Sequence, residues 1–432
     1  MSTGEPRRSG VYTRQNFLSI YLPSVTLAVG TGMVIPALPV YARNFGVSFE
    51  VASLVIVMQQ LGSTLSALPT GLLADRFGRR KIVLAGPMLL AISSLLIISP
   101  FWGHSFVELL ALRFIGGVGD QMWRLGRLTM IADVGAANER GRQITTMSAM
   151  ENSGRLLSPI IGGLLAGFWD IRAPFAAHAL LAMISIFPSF KLLRETAPQL
   201  QVGGQRGRAS SGGPDAGFIA LLSFAVVAFL SAQVLASLTR GPIFTGQLNL
   251  YGAFAYDMNP QTIGFLATAV TGIAIPISIA SGHIMDRYGR KTTLVPGFAL
   301  LALALAFMGF TAYVHVDFAV FVFAYFSVYA TNSVTGGNMQ TLGSDIAPPN
   351  ARGRFYGVWQ TLGSVGGPIG TSAFAALSGA AGYWAAFAFL AATAASGALI
   401  LAGFVPERMR HEQMVAGTAA PVRSSEAGAR PS

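Results

Sequence analysis

Six ionisable residues lie inside two long apolar stretches, spaced so that they share helix faces. Arg113, Asp120, Arg124 and Arg127 follow one another at intervals of 7, 4 and 3 residues. At ~100° per residue this puts all four on one face of a helix, spread over ~21 Å of its axis. The next apolar stretch carries Glu151 and Arg155 in line with Ser148 and Ser158. If these stretches cross a bilayer, each ionised group costs about 2.5–3.5 kcal/mol unless it is paired or faces water. The six must therefore pair with one another or line a wet cavity. Asp120–Arg124 and Glu151–Arg155 are the local i, i+4 pairs, but four arginines against two carboxylates leave positive charge over.

Two chemistries suit such a set. Guanidinium groups recognise carboxylates, phosphates and other anions by bidentate contacts. A carboxylate that is neutral in one state and charged in another carries a proton, and an arginine beside it tunes its acidity. Asp120, at mid-span, is the first candidate for a proton carrier and Glu151 the second, with Arg113 as modulator. Arg113, Arg124, Arg127 and Arg155, joined by Arg240 further along, are the candidates for anion recognition. The rest of a binding surface is polar and aromatic: Gln59 early in the chain, then Tyr325, Asn332, Asn338, Trp359 and Gln360. Such groups suit a substrate with an apolar body and a few polar handles, though amides inside apolar helices also serve as packing glue.

The elements that must hold these residues are membrane helices. Of 432 residues, 52% are hydrophobic and 11% charged, against roughly 25% charged in soluble domains. The pattern predicts helices over 15–41, 50–73, 80–100, 105–134, 141–168, 173–194, 217–245, 260–284, 292–313, 316–345, 353–379 and 383–405, an all-α protein with twelve crossings. The formal net charge of +11 follows this topology. Of the 29 Lys and Arg, five lie within helices, two (Arg43 and Arg172) fall in outer loops, and the other 22 are on one side. That asymmetry places both termini in the cytoplasm and makes the basic excess a topological signal, with no nucleic-acid partner expected. Arg7, Arg8 and Arg14 lead into the first span without a small-residue cleavage site, so no cleaved signal peptide is expected. With no cysteine, thiol chemistry is excluded, and the five scattered histidines have no metal-ligand spacing. No metal or cofactor is expected.

The chain repeats itself at half its length. GLLADRFGRRK begins at Gly71 and GHIMDRYGRK at Gly282, aligning Asp75 with Asp286, Gly78 with Gly289, Arg79 with Arg290 and Arg80 with Lys291 at an offset of 211. ADVGAANERGR and SDIAPPNARGR align Asp133 with Asp345 at an offset of 212. A two-fold repeat in so apolar a chain points to a transporter built from two related halves. The Gly, Ser, Pro and Arg rich segment 195–216 reads as a solvated linker between them. The expected organisation is a tail over 1–14, a six-helix bundle over 15–194, the linker, a second bundle over 217–405 and a disordered tail over 406–432.

Over residues 15–405 the sequence resembles the major facilitator superfamily. Gly71, Leu73, Asp75, Arg76, Gly78, Arg79 and Arg80 match its signature G-x-L-x-D-R-x-G-R-R/K between the second and third helices. Arg113 with the GGVG after it is similar to the family's fourth-helix motif. Gly154, Ser158, Pro159, Gly162 and Gly163 resemble the antiporter motif G-x-x-x-G-P-x-x-G-G, with Ser158 in place of one glycine, and GTGMVIPALP from Gly30 resembles the first helix of twelve-helix drug/proton antiporters. The resemblance implies two six-helix bundles around a central cavity, working by rocker-switch alternating access. It implies a latch of Asp75, Arg76, Gly78, Arg79, Arg80 and Asp133 that ties the bundles together in the outward-open state, with a weaker copy at Asp286, Arg290 and Asp345. It further implies a monomer in a bacterial inner membrane that exports a small organic molecule, drug-like or anionic, in exchange for protons. A proton symporter importing an organic anion and a non-transporting receptor or assembly factor on the same fold are the rivals. An enzyme is not expected: the sequence has no Ser-His-Asp set and no nucleotide loop.

Overall fold

The computed structural model describes residues 17–102, 104–134, 140–193, 195, 223–348 and 351–405, with the side chains of 20, 131–134, 140–145 and 352–353 excepted. The N-terminal tail, the C-terminal tail and all of the linker except Glu195 therefore lie outside the described residues. After a π-helical turn at Phe17–Tyr21, the helices are α1 (Leu22–Arg43), α2 (Phe49–Phe77), α3 (Arg79–Ile98), α4 (Phe106–Val134), α5 (Arg140–Phe168) and α6 (Ala173–Leu192). The second half holds α7 (Phe224–Thr245), α8 (Gln247–Ala255), α9 (Pro260–Tyr288), α10 (Arg290–Val314), α11 (Phe318–Ile346), α12 (Arg352–Ala381) and α13 (Tyr383–Phe404).

The repeat in the sequence is a repeat in structure. The helix pair α9 and α10 begins 211 residues after α2 and α3, and α11 and α12 begin 212 after α4 and α5. Within the first half α4 packs on α2 and α3, and α1 packs on α5 and α6. Within the second, α10 packs on α11 and α13, and α7 on α12 and α13. The halves meet along α5 with α9 and along α2 with α12. Small residues allow this closeness, as expected where lipid supplies no hydrophobic drive between helices. A methyl group at Gly86 would come within 2.6 Å of the Trp123 amide nitrogen, and one at Gly241 within 2.5 Å of the Gly367 carbonyl oxygen.

Among the described residues, nine helices are long and apolar enough to cross a membrane. The expected twelve crossings also need α4, α5 and α12, which are 29, 29 and 30 residues long and carry charged or small polar residues in their interiors.

Two expectations are corrected. The signature segment between α2 and α3 is not an extended loop: Asp75 and Arg76 lie in the last turn of α2, and Gly78 alone (φ 98°) turns the chain into α3. Gly289 (φ 105°) does the same between α9 and α10. A residue with a Cβ is strained there, so one glycine replaces a loop. The seventh span does not end at Thr245; it is interrupted at Gly246 and resumes as the buried helix α8. Arg240 is thus midway along the joint span from Phe224 to Ala255.

Candidate functional site

Contacts between the two halves gather at the end holding the α1–α2 turn. Arg43 at the end of α1 forms an ion pair with Asp257 at 2.8 Å and donates to the Ala253 carbonyl. Ser53 donates to Gln247 (3.1 Å), Gln60 to Thr371 (3.0 Å), and the Ile160 amide to Thr268 (3.1 Å). Phe49 meets Phe254, Phe374 and Tyr383 edge-on, with centroids 5.7, 6.2 and 4.9 Å away. The hydrogen bond lying deepest toward the other end runs from Thr64 to the Ser364 carbonyl (3.2 Å).

Beyond that pair the halves part. A Cβ at Gly272, Gly282 or Gly357 would have no neighbour within 4 Å. Tyr356, Gly357 and Val358 are exposed in succession, so more than one face of α12 is uncovered. Arg155 and Leu157 of α5 and Gln360 of α12 are likewise exposed. The result is a cleft closed at the end of the α1–α2 turn and open toward the single-glycine corners at Gly78 and Gly289.

The charged face of α4 divides along its length. Arg127 is 4% exposed and pairs with Glu151 of α5, itself 19% exposed. Arg127 also donates to Ser24 of α1 (2.6 Å) and stands 5.1 Å over the Trp123 ring. One guanidinium thereby ties three helices together. Neither i, i+4 pair expected from the sequence forms as an ion pair among the described residues. Arg124 is exposed and donates to Gln121, which also accepts from Ser63 of α2 (3.2 Å). Asp120 is half-buried, within electrostatic reach of Arg113 and Arg127, and in no hydrogen bond or ion pair among the described residues. Arg113 is half-buried, with its Nε lacking a hydrogen-bond partner.

The polar residues of the second half are mostly buried. Tyr325 is fully buried and donates to Asn249 of α8 at 2.6 Å, so it belongs to the interior of its own half and not to the cleft. Trp359 is buried against Phe229 (5.4 Å) in a space that Gly343 leaves free. Asn338 donates to the Val334 carbonyl at 2.7 Å, within α11. Asn332 is buried with its Oδ1 unpartnered. Gln59 is half-buried, its carbonyl pressed against Gly117 of α4.

The glycine-rich segment of α5 sits where three helices cross. Gly154 and Gly162 face the α1 backbone at Val25 and Met33, and Ser158 fills the space beside Gly32. On the opposite side a methyl group at Gly163 would come within 2.5 Å of the Pro260 carbonyl oxygen, and Gly264 stands equally close to that of Pro159. This segment therefore brings the backbones of α5 and α9 together across the two halves.

The signature residues make their described contacts within their own half. Arg290 joins Asp286 and Asp345 at 3.0 Å each, linking α9, α10 and α11. In the first half Arg79 donates to the Thr129 carbonyl (3.1 Å), and the amides of Arg79 and Arg80 donate to the Glu195 carboxylate at 2.9 and 3.2 Å. Arg80 donates to the Phe190 carbonyl at 2.6 Å. Asp75 and Arg76 are exposed. The side chain of Asp133 lies outside those described.

Sequence reasoning passed over the Arg43–Asp257 clasp, which joins positions that the repeat does not align with each other. The offset of 211 puts Asp257 on Gly46, and both have positive φ, 49° and 70°. It also passed over His178, which is buried, bonded through Nδ1 to Ser94 (3.0 Å) and lodged against Gly30.

Two helical halves related by an internal repeat, with a cleft between them and charged helix faces within, define a secondary transporter. The family model of the Major Facilitator Superfamily matches residues 21–370 and 216–427, and the chain belongs to that superfamily, whose members are transporters and not enzymes. It is 25% identical over 313 residues to the quinolone resistance protein NorA of Staphylococcus aureus strain MRSA252, covering 70% of this chain and 76% of that one. Against NorA of strain N315 the match is 29% over 187 residues, about half (47%) of that protein's length. It is 27% identical over 393 residues to the class C tetracycline resistance protein of Escherichia coli, covering 88% and 94% of the two chains. A crystal structure of a D-xylose–proton symporter shares the fold with a TM-score of 0.72 over 91% of this chain and 98% of that one, at 16% identity.

Proposed function

We propose that the protein is a proton-coupled antiporter that exports a small, drug-like organic molecule by alternating access. The observation that carries this reading is the cleft: sealed at one end by glycine contacts and the Arg43–Asp257 clasp, parted at the other. The Lys and Arg of the tails, linker and corners put the parted end in the cytoplasm. On that orientation we read the cleft as inward-open, in a monomer with twelve crossings and both termini inside. Asp120 carries the proton, since it keeps electrostatic contact with Arg113 and lacks the ion pair that occupies Glu151. Asp75 and Arg79 latch the bundles in the opposite state, for which Asp75 is exposed and available here. Export as the direction, and quinolones and tetracyclines as the first substrates to try, follow from the relatives' names. The rival reading, symport of an organic anion into the cell, draws on the D-xylose–proton symporter's use of the same fold.

Everted membrane vesicles with an acid lumen and a pH-sensitive dye decide between them. Antiport predicts that externally added substrate dissipates the gradient with wild type and fails to do so with Asp120→Asn. Dissipation only when substrate is preloaded in the lumen supports symport instead. An unchanged response in Asp120→Asn removes that residue from coupling, and no response in either arrangement refutes proton-coupled transport.

A further inference from the structure

Arg240 stands apart from the three arginines of α4, which have partners or a nearby carboxylate, and from Arg155, which is exposed. Arg127 has Glu151 and Ser24, Arg124 has Gln121, and Asp120 acts electrostatically on Arg113. For Arg240 no hydrogen bond or ion pair exists among the described residues, and its Nε is buried without a partner. Its own half offers no counter-charge at that depth. Between Phe224 and Phe404 the other charged residues of the helices all lie in their first or last turns, as Asp286, Arg287, Arg290, Lys291, Asp345, Arg352 and Arg354 do.

The guanidinium is nevertheless held in place. It lies 4.9 Å over the Phe244 ring, and an Nη atom occupies the space beside Gly336 of α11, 2.7 Å from where a Cβ would stand. The neighbouring Gly337 faces open space. A fixed cation with unspent donors next to open space, with no carboxylate of its own, is the arrangement that takes up an anionic ligand.

We propose that Arg240, positioned by Gly336 and Phe244, is the subsite for a carboxylate borne by the transported molecule. This rests on the exporter reading and narrows its substrates to organic acids and zwitterions. The carboxylate accepts from the Arg240 N–H groups, leaving the apolar body of the molecule in the cleft between α11 and the first half.

The test is equilibrium binding to the purified full-length protein in nanodiscs, which needs neither a proton gradient nor turnover. A failure of coupling therefore leaves this result readable. The probes are norfloxacin, with its free ring carboxylate, and its methyl ester, which keeps the body and removes the anion. Wild type is expected to bind the acid at least tenfold tighter than the ester. Arg240→Gln should bring the ratio within twofold by weakening the acid alone, and Arg240→Lys should restore part of it. Gly336→Ala, which keeps the charge and displaces it from its recess, should also reduce the ratio. Size-exclusion profiles identify any variant that fails to fold, and the Gly336 and Lys variants then carry the test. Equal affinities in wild type, no binding of the acid, or a ratio undiminished in Arg240→Gln overturns the proposal.

Discussion

Replacing Glu151 with alanine strips the most buried arginine of α4 of its carboxylate. Arg127 is 4% exposed and keeps the 2.6 Å bond to Ser24, the Trp123 face and the more distant attraction of Asp120. Removing one partner of a fully buried pair costs about 3–5 kcal/mol. Glu151 is 19% exposed, so water already screens part of the pair, and the surviving Ser24 bond offsets more. The expected loss is about 2–3 kcal/mol, roughly 30- to 150-fold in the unfolding equilibrium. Arg127→Met should cost less, about 1–2 kcal/mol, since the carboxylate left behind reaches water. The double variant strands no charge and should fall within about 1 kcal/mol of wild type. Unfolding by SDS titrated into maltoside micelles, followed by tryptophan fluorescence, gives all three corners of the cycle, and Trp123 lies beside the perturbation. A loss under about 0.5 kcal/mol for Glu151→Ala, or strict additivity in the double variant, would show that this contact does not bind α4 to α5.

Asp75→Asn should leave a folded, monodisperse protein that exports at less than a tenth of the wild-type rate in everted vesicles; full export would remove Asp75 from the latch. Arg43→Ala should loosen the sealed end. Asp257 is 92% exposed, so the pair is worth at most about 1 kcal/mol. A rise of up to about fivefold in the population open at that end follows, read as a distance distribution between spin labels on introduced cysteines. The chain has no native cysteine to interfere, and an unchanged distribution would make the clasp ornamental to gating.

Helix positions were legible in the sequence because apolar runs, Gly corners and basic turns are local signals. What was not legible depends on how helices rotate against one another. The i, i+4 rule offered Glu151 the nearby Arg155, whereas packing of α4 against α5 offered it Arg127, which is buried and needs a carboxylate more. Periodicity gave Tyr325 the same standing as Gln360, yet the first bonds to Asn249 inside its half and the second is exposed. The span over 217–245 stops short of α8 because a left-handed residue at Gly246 (φ 90°) interrupts the helix before the chain resumes as buried helix. The repeat was legible throughout, but the clasp joins Arg43 to Asp257, which the repeat does not align with each other.

The two ends of the cleft close by different forces. At the sealed end the halves meet through glycine backbones, aromatic edges and neutral hydrogen bonds, with one exposed ion pair. The opposite end carries Asp75, Arg76, Arg79 and Arg80, and under the proposed latch its closure is electrostatic. Mobile ions screen exposed charges beyond about 8 Å at physiological ionic strength and leave packed backbones indifferent. Under that latch, ionic strength at this end acts as an effector: more electrolyte favours the parted form, and dilution favours its counterpart.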